Sequence, residues 1–145
     1  MEIGIKKLTE TAQIPMRGSD YAAGYDLYAD IQEKLCVAPH NSVKIPTGLA
    51  LEIPEGYFGA VYARSGLACK ESLRPANCVG VIDADYRGPV MVVLHNDSEH
   101  TREITPGERV AQLVIMPFLP VMFKEVDDLS QTIRGEGGFG STGKN

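Results

Sequence analysis

The stretch Leu49-Ala50-Leu51-Glu52-Ile53 (LALEI) decides the fold class. Leu49, Leu51 and Ile53 alternate with Ala50 and Glu52, and a period of two is that of a strand with one buried face. Around it lie further short stretches rich in β-branched and aromatic residues: SVKI (42–45), YFGAVYA (57–63), PVMVVLH (89–95) and ERVAQLVIM (108–116). Fifteen glycines and nine prolines punctuate the chain between them, as in IPTG, IPEG, RGP, TPG and FLP. Many short strands separated by turn signals predict an all-β sandwich or barrel. VMVVL (90–94) is continuously apolar and reads as a strand buried on both faces. Helical periodicity is nearly absent. One short helix is expected at about Gly66 to Ser72, with Ser65 as its N-cap.

The bulk numbers bound the answer from outside. A chain of 145 residues favours one domain, 1–145, and 43% hydrophobic with 23% charged residues is a globular composition. The net charge of −5 and the lack of any Lys/Arg cluster exclude a protein that grips a nucleic-acid backbone. No apolar run is long enough to span a bilayer, and the N-terminus lacks the apolar stretch of a signal peptide, so no membrane partner and a cytoplasmic address are expected. Cys36, Cys69 and Cys78 are an odd set without C-x-x-C spacing, which argues against a disulfide framework or a structural zinc. They read as small, semi-buried thiols. His40, His95 and His100 lack metal-ligand spacing and read as solvated surface residues.

Five stretches carry chemistry-bearing residues. In the tail, RGEGGFGSTG (134–143), glycines let backbone N–H groups approach an anion, Ser141 and Thr142 add neutral donors, and Arg134 adds a planar charged fork. Phe139 is a ring with no local core, which suits stacking on a flat ligand. By composition alone the same stretch is equally a frayed glycine-rich end. It is not a Walker A loop, because the G-K-[ST] ending is missing. In GVIDADYRG (80–88) the carboxylates either decorate a hairpin turn, or Asp83, beside the apolar Val81-Ile82 pair, is partly desolvated and activates a water. ARSGLA (63–68) is either a surface arginine with a cap or an anion site at a helix start. Gln112, inside RVAQLVIM, must be hydrogen-bonded or face a ligand. Asp26 stands in an aromatic setting in AGYDLYAD (23–30).

Taken in order, AGYDLYAD, ARSGLA, GVIDADYRG, GERVAQL and RGEGGFGSTG resemble the five motifs of the homotrimeric dUTPase family, from about residue 20 to the C-terminus. One departure stands out. The second motif usually begins with proline, where this chain has Ala63; Arg64, Ser65 and Gly66 are intact. The resemblance implies a jelly-roll-like β fold, a flexible glycine-rich C-terminal lid at about 130–145, and a trimer whose active sites are shared between subunits. It also implies the reaction: dUTP and water give dUMP and pyrophosphate, with Mg2+ on the triphosphate and no direct protein ligand to the metal. Such an activity keeps uracil out of DNA and supplies dUMP for dTMP synthesis.

By the same resemblance Asp83 is the catalytic aspartate that activates the attacking water. Arg64, Ser65, the Gly66 amide, Gln112, Arg134, Gly140, Ser141 and Thr142 meet the phosphates. Gly80, Val81, Ile82 and the Asn77 side chain present the donor and acceptor pattern for uracil. Tyr86 packs under the deoxyribose, Met91 is a further contact position, and Phe139 covers the base. Asp26 either hydrogen-bonds a metal-bound water or braces the site. Two rival readings share the fold: a dCTP deaminase-type enzyme, and a non-catalytic nucleotide-binding module. The tail and third motif favour the dUTPase pattern over the first, and the presence of Asp83 disfavours the second.

Overall fold

A computed structural model describes residues 1–138. The β-branched and aromatic runs become strands and the glycine and proline signals become the turns between them. In chain order these are β1 (Gly4–Lys7), β2 (Met16–Arg17), β3 (Tyr25–Tyr28), β4 (Leu35–Val37), β5 (Ser42–Pro46), β6 (Leu49–Glu52) and β7 (Tyr57–Tyr62). Helix α1 (Ser65–Glu71) follows, then β8 (Leu73–Pro75), β9 (Gly80–Ile82), β10 (Met91–Asn96), β11 (Arg102–Ile104) and β12 (Arg109–Pro117). All ladders are antiparallel, in the orders β1-β6, β5-β10-β8, β11-β4 and β2-β3-β12-β7-β9. None of them closes on itself among the described residues. The molecule is all-β and jelly-roll-like with one short helix, an open sandwich rather than a barrel.

One apolar cluster lies between the sheets, with Leu27, Val37, Ile45, Leu94, Ile104, Val110 and Ala111 fully buried at its centre. Burying a side chain of this size is worth roughly 1.5–3 kcal/mol, so this cluster carries most of the drive to fold. Asn96 is buried within it and satisfied: Nδ2 donates to Val37 O (2.9 Å) and His100 O (2.8 Å), and Oδ1 accepts from Ser98 N (2.9 Å). That network ties β10 to the start of β11 without leaving a polar group stranded.

LALEI behaves as expected, with Leu49, Leu51 and Ile53 buried and Glu52 exposed, although Ala50 is buried too. VMVVL does not. In β10 the residues Val92, Leu94 and Asn96 face the core, while Met91 is exposed and Val93 and His95 are half-buried. An antiparallel sheet needs only one packed face, and an apolar outer face hides this alternation from the sequence. The helix starts one residue earlier than expected. Arg64 is its N-cap, without a side-chain cap bond, and its carbonyl accepts from Ala68 N at 3.0 Å. Ser65 is therefore the first helical residue. Ser72 ends the helix in the left-handed region, at φ 57°.

Three surface features also depart from expectation. All three cysteines are exposed rather than semi-buried. His95 is half-buried, with Nδ1 3.0 Å from Ser42 Oγ, whereas His40 and His100 are exposed as read from sequence. The sheet ends at Pro117, well before the tail expected at about 130–145. Phe118 N still donates to Gly56 O at 3.0 Å, but Leu119, Met122 and Phe123 beyond it are almost fully exposed. Among the described residues no helix is long and apolar enough to cross a membrane.

Candidate active site

Three of the chemistry-bearing stretches meet on one face of the five-stranded sheet. Gln112 in β12 lies opposite Asp26 in β3 on one side and Tyr62 in β7 on the other. Directly opposed residues of antiparallel strands point to the same face. Asp26 is thereby held at the centre, its side chain 14% exposed. Its Oδ1 accepts from Arg64 Nε at 3.0 Å and its Oδ2 from Arg109 Nη1 at 3.1 Å. Arg64 Nη1 also donates to the Arg109 carbonyl at 3.2 Å, which fixes the guanidinium plane against β12. Charge-assisted bonds of this kind are the stronger class, and the acid between two arginines braces both.

Gln112 is satisfied in the way a buried amide requires, with Nε2 donating to Ala63 O at 2.8 Å. Its Oε1 sits against Gly24, where any Cβ would overlap it. Glycine at 24 is thus what lets the glutamine amide lie flat between the first and second motifs. Ser65 and Gly66 open the helix just beyond Arg64, both exposed.

The third stretch builds a separate feature. Asn77, Gly80, Val81, Ile82 and Met91 line a narrow cleft of about 80 Å3, backed by Val61, Pro75, Val92 and Val93. The turn into it is tight, with Cys78 N donating to Pro75 O at 3.0 Å and Val79 N to Asn77 O at 2.7 Å. Cys78 adopts φ 62° there. Beside the turn, the hydrogen bond from Arg74 holds the Asp97 carboxyl below the ordinary carboxylate range, and it ties β8 to the end of β10. Gly80 and Ile82 are buried, Val81 is exposed, and β9 has no neighbour on its outer edge among the described residues. Its free backbone groups face the cleft side as an unpaired ladder edge. Tyr86 curls under this hairpin with its hydroxyl donating to Pro89 O at 3.1 Å, over Gly88, where a Cβ would strike the ring.

Asp83 is exposed, which corrects the expectation of a partly desolvated carboxylate. The alternation along β9 turns Ile82 inward and its successor outward, so the apolar pair beside Asp83 does not cover it. The ladder also keeps Asp83 away from Arg64. Gly59 pairs with Ile82 and Val61 with Gly80, so the two residues leave the β7–β9 ladder at opposite ends. Continued by one residue, that register sets Asp83 level with Phe58, six residues before Arg64, so at about 3.3 Å per residue the two are roughly 20 Å apart along the strand.

Arg134 is exposed and donates from Nε to Gly137 O at 2.7 Å. The remaining tail positions singled out above, Phe139, Gly140, Ser141 and Thr142, lie outside the described residues. Of GERVAQL, Gln112 is marked by its sequence setting but Arg109 is not, although it shares Asp26 with Arg64. A strand-opening arginine after a Gly-Glu turn is ordinary in sequence, and only the pairing with Asp26 marks it.

The described face thus carries two features, a partly buried acid clasped by two arginines and, separately, a cleft rimmed by open strand backbone. The dUTPase family matches residues 10–143. The deoxyuridine 5'-triphosphate nucleotidohydrolase of Arabidopsis thaliana is 49% identical over 139 residues, covering 96% of this chain and 81% of its own. That of Hydrogenobaculum sp. is 43% identical over 143 residues, covering 99% of each. Among solved structures, the dUTPase of Staphylococcus bacteriophage 80alpha with dUpNHpp superposes with a TM-score of 0.89 at 33% identity, covering 98% of both chains. A variant dUTPase of S. aureus phage phi11, described for its coordination of a structural Mg(II) ion, gives 0.79 at 28% identity, covering 88% of this chain and 98% of that one. The chain belongs to the dUTPase family.

Proposed function

We propose that this chain is a dUTP diphosphatase, which hydrolyses dUTP to dUMP and pyrophosphate in the cytoplasm at sites shared between the subunits of a homotrimer. The single observation that carries the reading is the division of the site. The Asp26–Arg64–Gln112 cluster is a cationic cradle for a phosphate chain, and the Asn77–Ile82 cleft is a seat for a pyrimidine ring. Asp83 leaves the β7–β9 ladder at the end away from Arg64. In this reading one ligand spans the cradle of one chain and the hairpin of another. Two surface features support such an assembly. Leu119, Met122 and Phe123 are left exposed, and an apolar groove of about 410 Å3 lined by Ile3, Ile5, Ile14, Tyr25, Leu113 and Ile115 is open to receive a neighbour.

In this reading the uracil edge pairs with the open backbone of Gly80 to Ile82 and with the Asn77 side chain. Cytosine reverses part of that donor and acceptor pattern and would leave desolvated groups unpaired. Met91 closes the cleft wall, and Tyr86 packs under the deoxyribose and leaves no room for a ribose 2′-hydroxyl. Asp83, on the outer face beyond Ile82, accepts a proton from a water and directs it in line at the α-phosphorus. The bond from that phosphorus to the bridging oxygen breaks, and pyrophosphate leaves. Burial of Asp83 against a second subunit and the substrate would raise its effectiveness.

Arg64, Ser65, the Gly66 amide and Gln112 hold the phosphates, joined by Arg134, Gly140, Ser141 and Thr142 of the tail, with Phe139 over the base. Residues 1–145 form one domain, with about 130–145 as its lid. Magnesium suits this site as a chelate of the triphosphate: it is a hard cation that keeps its waters, and it neutralises phosphate charge when bound. Both Asp26 oxygens already accept from arginines, so Asp26 braces Arg64 and Arg109 and would not ligate the ion directly. Incubation with dUTP and with dCTP tests the function: pyrophosphate from dUTP without ammonia from dCTP is expected. Ammonia release would install the deaminase reading, and inertness toward both would install the binding module.

A further inference from the structure

Where β12 crosses β3, the ladder slips. Gln112 pairs with Asp26 and Ala111 with Leu27, but Arg109, not Val110, pairs with Tyr28. The slip inserts Val110 as an extra residue. Val110 and Ala111 are consecutive and both fully buried, as fits two residues set against a single partner position. This is a β-bulge, and its effect is to reset the alternation so that Arg109 falls on the face of Gln112 and Asp26. Without it, Arg109 would fall on the opposite face, pointing at the core. The register resumes at once beyond the bulge, with Ala29 N donating to Glu108 O at 2.8 Å. The irregularity is confined to the one place where it aims a side chain at Asp26.

Charge shows what the aim achieves. Asp26 with Arg64 alone is a neutral pair, because one acid cancels one guanidinium. With Arg109 the cluster holds two positive charges and one negative, and carries a net positive charge. Arg64 uses Nε on Asp26 and Nη1 on the Arg109 carbonyl, and its Nη2 makes no hydrogen bond among the described residues. Arg109 is 51% exposed and makes one contact with Asp26, through Nη1.

We propose that Arg109 is a positioning residue for the triphosphate. By taking up the charge of Asp26, and by offering its carbonyl to Arg64, it leaves the Arg64 guanidinium oriented and electrostatically free for phosphate oxygens. The inference rests on the dUTPase reading of this site. It assigns Arg109 to the phosphate chain and not to the base or sugar.

The test compares Arg109→Ala and Arg109→Lys with the unaltered protein, measuring binding of dUpNHpp and of dUMP beside pyrophosphate release from dUTP. Arg109→Ala is expected to weaken dUpNHpp about tenfold while dUMP changes by less than about twofold, and to raise KM for dUTP more than it lowers kcat. Because the Asp26 contact uses a single donor, lysine can supply the charge, and Arg109→Lys should bind dUpNHpp within about threefold of the parent. Equal loss of both ligands, an unchanged dUpNHpp affinity in Arg109→Ala, or a lysine variant no better than alanine would overturn the proposal. Loss of the folded state in both variants would make Arg109 purely structural and overturn it too. Failure of the unaltered protein to release pyrophosphate from dUTP would instead sink the dUTPase reading, a result read before any variant is compared.

Discussion

The cradle around Asp26 and the hairpin that carries Asp83 are built on opposite plans. In the cradle every charged or amide side chain has a partner within the chain: Arg64 and Arg109 on Asp26, Gln112 on Ala63. The pairing of β3, β7 and β12, with its bulge at Val110, fixes these groups before any ligand arrives. The hairpin is open. Among the described residues the side chains of Asn77 and Asp83 are exposed, and the outer edge of β9 is unpaired. Binding phosphate benefits from donors already oriented, since their ordering cost is met in folding. Recognising a base by backbone groups needs those groups left free. A single chain thus holds one region whose polar side chains are paired and one whose polar groups are left open.

Substitutions that separate turnover from binding bear hardest on this contrast. Asp83→Asn keeps the shape of the hairpin and removes the base, so turnover of dUTP should fall about a thousandfold while dUpNHpp still binds; near-normal turnover would remove Asp83 from the mechanism. In the cradle, Gly24→Ala puts a Cβ on Gln112 Oε1 and turns the amide off Ala63. It should cost about 1–2 kcal/mol of stability, read by denaturant unfolding. It should also raise KM for dUTP about tenfold with a smaller change in kcat, and an unchanged KM would show that Gln112 need not be held flat. The smallest effect is on discrimination. Tyr86→Ala should improve the use of UTP relative to dUTP by a few-fold, roughly threefold to tenfold, as expected when one contact beside a hydroxyl is removed. An unaltered preference would free Tyr86 from any gating role.

The two regions also differed in how far the sequence revealed them. Alternation in LALEI is legible because its outward residue, Glu52, is charged. In VMVVL the outward residues Met91 and Val93 are as apolar as the inward ones, so hydrophobicity marks the strand but not its face. Met91 is outward because it lines the cleft, a role that composition does not encode. The run from Phe118 to Phe123 is apolar yet left exposed by this chain. The motif residues of the cradle were legible by type; their convergence depends on the registers of β3, β7 and β12, which no local pattern specifies. Arg109 escaped notice because it reaches Asp26 through a bulge at Val110, and strict period-two reading would point it at the core. Asp83 was expected beside an apolar pair, but the pleat that buries Ile82 turns Asp83 outward.

The central claim is that cradle and hairpin act on one substrate from different chains. It is tested most directly by mixing two inactive proteins, Arg64→Ala, which lacks the cradle, and Asp83→Asn, which lacks the base, and reassembling them together. In random equimolar trimers about three quarters contain both chains, and one of the three sites in each would join an intact cradle to an intact hairpin. Pyrophosphate release from dUTP should therefore recover to about a quarter of that of the unaltered protein. If each chain houses its own complete site, every site in the mixture carries a defect, and the reassembled sample would stay as inactive as its two components.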